Sequence, residues 1–500
     1  MDFLDPKKKR SYKIRLIIGY VLVAIALGLA TVILVYAARG YSINTKNGEV
    51  VQNGLLFLDS KPGGAAIYLN GQPRNATTSA RLVLAVGDYN LKFTKSGYRD
   101  WQRPITLDSQ TIARYVYPFL FPIKSRVTNL KNYSALPVLM TETPDRHWLL
   151  VQLPSSDPAV TSFDQYDTSK LTQAPTTISL PSDLLTNAAL PGSVLTEVAW
   201  STDNSHLVLK HDYQGGSEYI ILDRAVPADS INVNKTLGIT PAQVALRNDK
   251  TDQLYIYDAT AQSLSVADTA KATVSPPFLS HVLAFKGYGT SLITYVTDNK
   301  MPAGQAQARI WDNGQTYALA NLVAGSTYLI DAAQYQGDWY YAAGSSANDH
   351  IYLYKNPLSS LQDKSVGKAL SFISLRVANA QKIGFSTNTR FIEVESGQQF
   401  GVYDFETMMR YQYILQAPLT GPMQWMDGHR LIGDSNGQVY VMDYDGTNRQ
   451  SLTPTDFSLG GFFSADYNHL LTSAPNTDST AVVLENVDMR AGPDLPASTQ

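Results

Sequence analysis

A strand–turn–strand pattern recurs along most of the chain and limits the folds that are available to it. Each copy reads as a strand, a polar turn, a second strand, a second turn and a third strand that usually ends in Asp or Asn. Seven equivalent positions, set apart by 44, 40, 51, 50, 40 and 38 residues, are Trp200, Val244, Ala284, Tyr335, Phe385, Trp425 and Phe463. The copies are residues 198–223, 244–258, 283–315, 333–356, 383–406, 423–446 and 461–486, with 136–155 as a further copy.

Periods of about 40–50 residues with roughly four strands each are typical of the blades of a β-propeller. A single small four-stranded sheet cannot bury both of its faces, whereas radial packing of several such sheets buries them and leaves only short edges exposed. Residues 130–487 therefore predict a propeller of seven or eight blades. A long array of β-sandwiches is the alternative architecture.

The N-terminus carries a long apolar segment. Residues 16–38 contain no charge over 23 positions, a length that spans roughly 34 Å as a helix and is enough for a bilayer core. Six Lys or Arg residues precede it within residues 1–15. The positive-inside rule then predicts a cytoplasmic N-terminus, a single transmembrane helix over 16–38, a tether over 39–53 and all later domains outside the cytoplasm. A cleaved signal peptide is the competing interpretation, but its apolar region is usually shorter and Tyr36 interrupts the small-x-small site.

Composition narrows the classes of function. Hydrophobic residues make up 44% of the chain and charged residues 17%, as in a globular protein. Cysteine is absent, which excludes disulfides, thiol catalysis and cysteine-ligated zinc. Residues 40–500 hold 33 Lys and Arg against 41 Asp and Glu, a net charge of −8. This acidic balance argues against nucleic acid as a partner.

Residues 54–116 form a separate module with the pattern of five or six short strands. Leu56 and Leu58 alternate with Phe57 and Asp59, a strand pattern, and residues 61–64 (Lys-Pro-Gly-Gly) end that strand. Asn70-Gly71 predicts a hairpin, because both central residues of a type I′ turn need positive φ. The module is therefore expected to be a small all-β domain.

This stretch resembles the PEGA domain. The resemblance implies a β-sandwich of the kind found on bacterial surface proteins and beside sensor kinases, with no chemistry of its own. Gly63 stands where the family has a glutamate, and Thr77-Thr78 lies near the place of its Thr-Pro step. The matching residues are Ser60, Pro62, Gly64, Ala65, Gly71, Gly87, Tyr89, Gly97 and Tyr98.

Two of the later copies resemble the repeats of TolB-like and WD-type propellers. Their pattern is Trp-Ser-x-Asp-Gly, a strand, and a later strand ending in Asp-x-Asp-Gly before Leu-Thr. Asn204 replaces the first turn glycine, and asparagine also tolerates the left-handed region. The resemblance implies a propeller fold, an exported location and protein binding. The matching residues are Trp200, Ser201, Asp203, Asp443, Asp445, Gly446, Leu452 and Thr453.

Two local motifs suggest chemistry but are better explained as turns. Residues 433–437 read Gly-Asp-Ser-Asn-Gly, yet a nucleophile elbow needs a helix after the serine and a strand pattern follows here, so Ser435 is predicted to lie beside a hairpin turn. Residues 443–448 read Asp-Tyr-Asp-Gly-Thr-Asn. Counting from Asp443, an EF-hand would need glycine at position 6 and glutamate at position 12, whereas Gly446 is at position 4 and Pro454 at position 12. Asp443 is predicted to end a strand and form an Asx-turn, with left-handed Asp445 and Gly446 completing the reversal.

The remaining polar residues show no metal or catalytic spacing, and we expect the histidines to be surface or packing residues. The sequence therefore assigns no catalytic, cofactor-binding or metal-binding residue, predicts no cofactor, and leaves the binding residues unassigned. The histidines are His147, His206, His211, His281, His350, His429 and His469.

Together these patterns predict a mostly β chain with an N-terminal transmembrane helix, a small PEGA-like β-sandwich, a seven- or eight-bladed β-propeller and a disordered tail over 488–500. The expected location is the cell membrane, single-pass, with the C-terminal domains extracytoplasmic. The expected function is a non-enzymatic binding scaffold of the bacterial cell envelope, whose partner is an envelope protein or a cell-wall glycan and not a nucleic acid. The alternatives are an envelope hydrolase or lyase with an acidic site in the propeller channel, and a sensor ectodomain.

Overall fold

The computed structural model describes residues 6–38, 41–43, 50–109, 111–155, 157, 160–186, 192–363, 367–456, 460–475 and 482–490. The chain divides into two compact units, Met1–Lys124 with Arg490–Gln500, and Ser125–Met489. Residues 491–500, most of the predicted disordered tail, lie outside the described residues.

The first unit begins with one long helix, α1 (Pro6–Ala38). Its segment Tyr12–Tyr36 has a mean hydropathy of 2.7 and none of it is buried within the protein. Such a helix is long and apolar enough to cross a bilayer. A signal sequence near an N-terminus would have the same properties.

The remainder of the first unit is a pair of four-stranded sheets. One sheet has the order β1-β2-β5 with β8 paired in parallel to β2, and the other has the order β4-β3-β6-β7. Leu56, Leu58, Ile67, Phe93 and Trp101 fill the space between them. The strands are β1 (Tyr41–Ile43), β2 (Val50–Leu58), β3 (Ala66–Leu69), β4 (Gln72–Thr77), β5 (Ala80–Ala85), β6 (Gly87–Thr94), β7 (Trp101–Leu107) and β8 (Ile112–Tyr115).

Two details of this module bear on the sequence predictions. Asn70 and Gly71 have φ values of 51° and 76°, so the predicted type I′ turn is confirmed. Part of the predicted tether over 39–53 is strand, because Tyr41–Ile43 pairs with residues 50–52.

The second unit is a succession of four-stranded antiparallel sheets, which confirms the predicted propeller-like organisation. Its described residues form eight such sheets, within the range of seven or eight that the repeats predict. Sheets 1–4 are β10–β13 (Met140–Glu142, Trp148–Gln152, Ser162–Asp167, Thr176–Ser179), β14–β17 (Val194–Trp200, His206–Tyr213, Gly216–Asp223, Ile231–Asn232), β18–β21 (Gln243–Arg247, Lys250–Asp258, Ser263–Asp268, Thr273–Val274) and β22–β25 (Ala284–Tyr288, Leu292–Thr297, Gln305–Asp312, Gln315–Val323).

The second half of the ring repeats this arrangement. Sheets 5–8 are β26–β29 (Tyr328–Tyr335, Asp338–Ser345, His350–Lys355, Ile373–Arg376), β30–β33 (Lys382–Phe385, Phe391–Ser396, Gln399–Asp404, Met409–Ile414), β34–β37 (Gln424–Trp425, Arg430–Ser435, Gln438–Asp443, Gln450–Pro454) and β38–β40 (Gly461–Phe463, His469–Pro475, Val482–Asp488) with β9 (Val127–Tyr133). Short helices accompany sheets of both halves: Pro227–Asp229 (a 3-10 turn) and Val233–Leu237 (α2) lie beside β17 of sheet 2, and Pro357–Gln362 (α3) lies between β28 and β29 of sheet 5.

The sheets pack face to face in a closed ring. The first strands β14, β18, β22, β26 and β30 contact one another in succession, so they lie on the inner side. Apolar clusters join neighbouring sheets, for example Leu150 and Phe163 of sheet 1 with Leu207 and Leu209 of sheet 2. Burying both faces of each sheet in this way supplies the hydrophobic stabilisation that one sheet alone lacks.

Closure joins the two ends of the second unit. Strand β9, at its N-terminal end, pairs with β40, at its C-terminal end. Tyr133 and Leu484 of sheet 8 then pack against Met140 and Leu149 of sheet 1. The ring therefore extends beyond the predicted range of 130–487, because residue 130 lies inside β9 and residue 487 lies inside β40.

A hydroxyl–carboxyl turn recurs after the first strand of several sheets. Thr143 Oγ1 donates to Asp145 Oδ1 at 2.6 Å, and Ser464 Oγ donates to Asp466 Oδ1 at 2.7 Å. Ser201 makes the same bond to Asp203. These pairs correspond to the Ser-x-Asp element of the repeat, so the motif persists in copies whose sequences look divergent.

Candidate functional site

A polar cavity lies on the inner side of the ring where sheets 7, 8, 1 and 2 come together. Its volume is about 170 Å³. Glu142 ends β10 of sheet 1, Glu197 lies on β14 of sheet 2, and Trp425 and Phe462 come from sheets 7 and 8. We call this space, with Arg146 at its side, the axial cavity.

Glu142 occupies a position that other sheets fill with an aromatic ring. Trp200, Phe385 and Phe463 each end the first strand of their sheet and precede a serine. That serine bonds to the side chain two residues further on, which is an aspartate after Trp200 and Phe463 and an asparagine after Phe385. In sheet 1 the residue before the equivalent Thr143 is Glu142. The cavity is therefore bordered by a carboxyl at the point where the repeat would place a large apolar side chain.

The surroundings of Glu142 keep its carboxyl neutral at neutral pH. Burial raises the pKa of Glu142 to about 8, the nearby Arg146 opposes that rise, and Glu197 adds to it. Glu197 keeps accessible surface that opens into the cavity, yet desolvation also raises its pKa above the ordinary value. Desolvation thus outweighs the attraction of Arg146 at Glu142 and the hydrogen bond with Thr141 at Glu197.

Arg146 crosses from sheet 1 toward sheet 7. Its Nη2 donates to the Met426 carbonyl at 2.5 Å, its guanidinium lies 4.8 Å from the Tyr467 ring centroid, and its Nε is 3.7 Å from Glu142 Oε1. Arg146 Nη1 and Glu142 Oε2 are buried without a hydrogen-bond partner among the described residues. A small ligand with hydrogen-bonding oxygens could satisfy both atoms.

A second feature is an exposed apolar surface on sheets 5 and 6. Leu370 and Phe372 precede β29, and Met408 and Met409 lie where β33 begins. Their exposed fractions are 77%, 43%, 73% and 53%. We call these four residues the apolar rim.

Contacts between the two sheets hold the parts of the apolar rim side by side. The Phe372 ring lies 5.6 Å from the ring of Tyr403 on β32. Gln412 Nε2, on β33, donates to the Arg376 carbonyl of β29 at 3.0 Å. Because β29 and β33 are bridged in this way, the segments that lead into them expose their apolar side chains on the same part of the surface.

The predicted turn at Ser435 is confirmed. Ser435 ends β35, β36 begins at Gln438, and Asn436 and Gly437 between them have φ values of 56° and 68°. Ser435 Oγ donates to the Pro418 carbonyl at 2.8 Å. Strand, turn and strand follow one another here, and the helix that a nucleophile elbow needs is not found at this position in the described chain.

The turn at 443–448 is also confirmed, with one correction. Gly446 is left-handed as expected, but the second left-handed residue is Asn448 and not Asp445. Asp445 forms an Asx-turn, since its Oδ1 accepts from the Thr447 backbone N–H at 3.2 Å. Asp443 accepts from Asn448 Nδ2 at 2.9 Å. No group of three or more metal-ligating side chains occurs among the described residues.

Several histidines pair with acids at the ends of strands. His147 lies 3.4 Å from Asp167, and His206 lies 2.7 Å from Asp203. His211 differs because it is fully buried and bonds to a carboxylate and a hydroxyl. Sequence spacing did not reveal this cluster, because its members come from different strands.

The sequence patterns did not lead to the residues of the axial cavity, although an alignment of the repeats marks one of them, Glu142. When the copy at 136–155 is aligned with the others, Glu142 occupies the same alignment position as Trp200 and Phe463. A carboxyl at an otherwise aromatic position marks an unusual site. The role of Arg146 has no such signal, because it contacts Met426 at a distance of 280 residues in sequence.

Comparison with known proteins supports the module at the start of the chain. Residues 53–117 match the family model of the PEGA domain, nearly the range predicted from the motif, and this is a domain of extracellular and periplasmic proteins. No curated protein matches the sequence.

Solved structures with a similar arrangement have little sequence identity to this chain. They include the Dos1 propeller (14% identity, TM-score 0.44, covering 72% of this chain and 93% of that one) and U3-55K (11%, 0.39, 72% and 98%). The uncharacterized protein lmo1340 from Listeria monocytogenes is similar over 66% of this chain and 91% of its own (10%, 0.37). These likenesses concern the fold alone.

Proposed function

We propose that the chain is a membrane-anchored binding scaffold of the bacterial cell envelope, which holds a propeller outside the cytoplasm to bind a protein or a cell-wall polymer. The apolar rim carries this proposal. Large apolar side chains that are clustered and exposed commonly mark interaction sites, whereas single exposed ones do not. Methionine is well suited to such a surface because its flexible side chain adapts to a partner.

The unburied apolar helix and the PEGA match support the location. A helix with no buried side chain over Tyr12–Tyr36 needs a non-aqueous environment to cover it. The basic residues before it favour a cytoplasmic N-terminus. In this arrangement the PEGA module and the ring are both extracytoplasmic.

Site-specific photo-crosslinking in intact membranes tests the binding surface. A photoreactive residue at position 370 or 408 of the full-length chain should give a discrete adduct of one mass. The same residue at Val274, which is 37% exposed on sheet 3, is the matched control and should give none. Equal adducts from all three positions, or none at 370 and 408, would contradict the proposal.

Substitution then measures the contribution of the apolar rim. We expect L370S combined with M408S to weaken binding of the crosslinked partner at least about tenfold, the effect of losing one strong contact residue. V274S with V323S, two exposed valines on other sheets, should leave the affinity within about twofold.

The axial cavity favours a second candidate, an envelope hydrolase or lyase that uses acidic residues. A neutral Glu142 at pH 7 can donate a proton, and Arg146 Nη1 can stabilise a developing negative charge. Incubation of the full-length protein with cell-wall polymer, followed by assay for reducing ends or unsaturated products, tests this candidate. Activity that is lost in E142Q would support it, and absence of any product would remove it.

A further inference from the structure

A serine, a histidine and a glutamate form a continuous hydrogen-bonded series on sheet 2, away from the residues that border the axial cavity. Ser193 immediately precedes β14, His211 lies on β15 and Glu218 on β16. Leu195 pairs with His211, and His211 pairs with Glu218. Ser193, two residues before Leu195, reaches His211 diagonally. Ser193 Oγ is 2.8 Å from His211 Nε2, and His211 Nδ1 is 2.9 Å from Glu218 Oε1.

The partners determine where the protons lie. An ionised carboxylate can only accept, so Nδ1 of a neutral His211 carries its hydrogen and Nε2 presents a lone pair to Ser193. The Ser193 hydroxyl therefore donates to His211. This direction is the one in which an imidazole acts as a base toward a serine.

Glu218 is held firmly in its ionised form. Burial alone would raise its pKa, but hydrogen bonds from His211, Asn232 and Thr186 outweigh burial and hold the pKa below its ordinary value. Asn232 Nδ2 donates to Oε2 at 2.7 Å, and the Thr186 backbone N–H donates to Oε1 at 2.6 Å. A carboxylate with these partners can orient the imidazole and stabilise its protonated form.

The histidine is enclosed while the serine remains partly accessible. The side chain of His211 is fully buried, and Ser193 is half-buried. An open cavity of about 350 Å³ is lined by Glu218, Tyr213, Asn234 and Lys235, and the Tyr213 ring lies 5.2 Å from the His211 ring. This cavity borders the Glu218 end of the cluster, and solvent reaches Ser193 through its own partly exposed side chain.

Another histidine of the same sheet lacks this arrangement. His206 Nδ1 faces Asp203, and its Nε2 lies 3.5 Å from a second carboxylate, Asp223. This imidazole therefore lies between two carboxylates and has no hydroxyl among its described ring-nitrogen partners. His211 pairs one acid with one hydroxyl, which is the combination that activates a nucleophile.

We propose that Ser193 is a nucleophile activated by His211, which Glu218 orients, and that the site hydrolyses carboxylic esters. Ser193 Oγ bonds to the ester carbonyl carbon while its proton passes to His211 Nε2. That proton then goes to the departing alcohol as the ester C–O bond breaks. Water adds to the acyl-serine by the same route and releases the carboxylic acid and the free serine.

A serine-directed fluorophosphonate probe and p-nitrophenyl acetate test the proposal on the full-length protein. We expect the probe to modify Ser193, identified by peptide mass spectrometry, and p-nitrophenol to be released. S193A should abolish both, and H211Q should slow both by about 10²-fold or more, as for loss of a general base. S435A, at the buried serine of the Gly-x-Ser-x-Gly motif, is the matched control and should leave both rates unchanged.

Circular dichroism of each variant separates loss of chemistry from loss of fold. Absence of a Ser193 adduct on the folded wild-type protein would overturn the proposal. Equal rates for wild-type and H211Q would also overturn it, because Ser193 would then react without its base. The result is independent of the apolar rim, since L370S with M408S should leave ester hydrolysis unchanged while partner binding falls.

Discussion

Glu142 lowers the stability of the ring at alkaline pH because its carboxyl is held where ionisation is costly. Its pKa is about 8 in the folded protein, against 4.5 for an unperturbed glutamate. Between these values the folded state holds a proton that the unfolded state has released. Stability therefore falls as pH rises from about 4.5 to about 8, by at most about 1.4 kcal/mol per pH unit from this group.

Replacement by glutamine isolates that contribution. We expect E142Q to unfold at nearly the same temperature as wild type at pH 5 and at a higher temperature at pH 9, because the amide avoids the cost of a desolvated charge. Tryptophan fluorescence during thermal unfolding measures both midpoints. D252N, at an exposed position on β19, is the control and should not reproduce the difference, and an E142Q midpoint below wild type at pH 9 would contradict the argument.

The sequence predicted the conformation of some single turn residues correctly and of others wrongly. Asn70-Gly71 and Asn436-Gly437 could be predicted as turns because the requirement for positive φ is local. At residues 443–448 the same reasoning placed Asp445 in the left-handed region, where the structure has Asn448. Asp445 instead uses its side chain to bond Thr447, and residue type alone does not decide between these two roles.

At the scale of elements, the turn glycines differ in what surrounds them. Gly437 and Gly446 have nearly the same φ, 68° and 75°. A Cβ at Gly437 would have only the Thr455 carbonyl within 4 Å, at 3.8 Å, whereas a Cβ at Gly446 would lie 2.7 Å from the Tyr413 ring. Tyr413 stacks on Phe400 with ring centroids 5.2 Å apart, so the ring has little freedom to move aside.

Alanine at each glycine separates backbone strain from crowding. G437A should cost about 1 kcal/mol, the usual effect of forcing a side chain into this φ region. G446A should cost roughly 1–3 kcal/mol more, because it also overpacks the hairpin against Tyr413. Urea unfolding followed by tryptophan fluorescence gives the two values, and equal costs would show that the Tyr413 contact has no effect.

The elements themselves could be predicted well because the repeat is regular. All seven positions used to align the copies lie on the first strand of their sheets. Five of them end that strand, while Val244 and Ala284 precede the ends of β18 and β22. Three of the five strand-ending markers, Trp200, Phe385 and Phe463, are followed by serine. The copies that contain Val244 and Ala284 lack an aromatic–serine step, so their markers were placed before the strand end.

At the scale of the whole molecule, the closing strand was the part that sequence reasoning could not find. Strand β9 pairs with β40 across most of the chain, for example Asn132 with Val483. In sheets 1–7 all four strands are consecutive in sequence. In sheet 8 the fourth strand is β9, which comes from the other end of the unit's sequence, so the repeat pattern does not reveal it. The unit boundaries predicted at 130 and 487 consequently cut through both closing strands.

Membrane orientation is the remaining prediction at this scale, and the absence of cysteine allows a direct measurement. A single cysteine at Ser280, exposed on the ring, should react with a membrane-impermeant maleimide in intact cells. A single cysteine at Ser11, before the apolar segment, should react only after lysis. An uncleaved anchor keeps both positions in one membrane-bound polypeptide, whereas a cleaved signal peptide would leave the Ser280 label in a soluble product that lacks residue 11. Labelling at position 11 but not at 280 in intact cells would show the opposite orientation and would remove the extracytoplasmic scaffold from consideration.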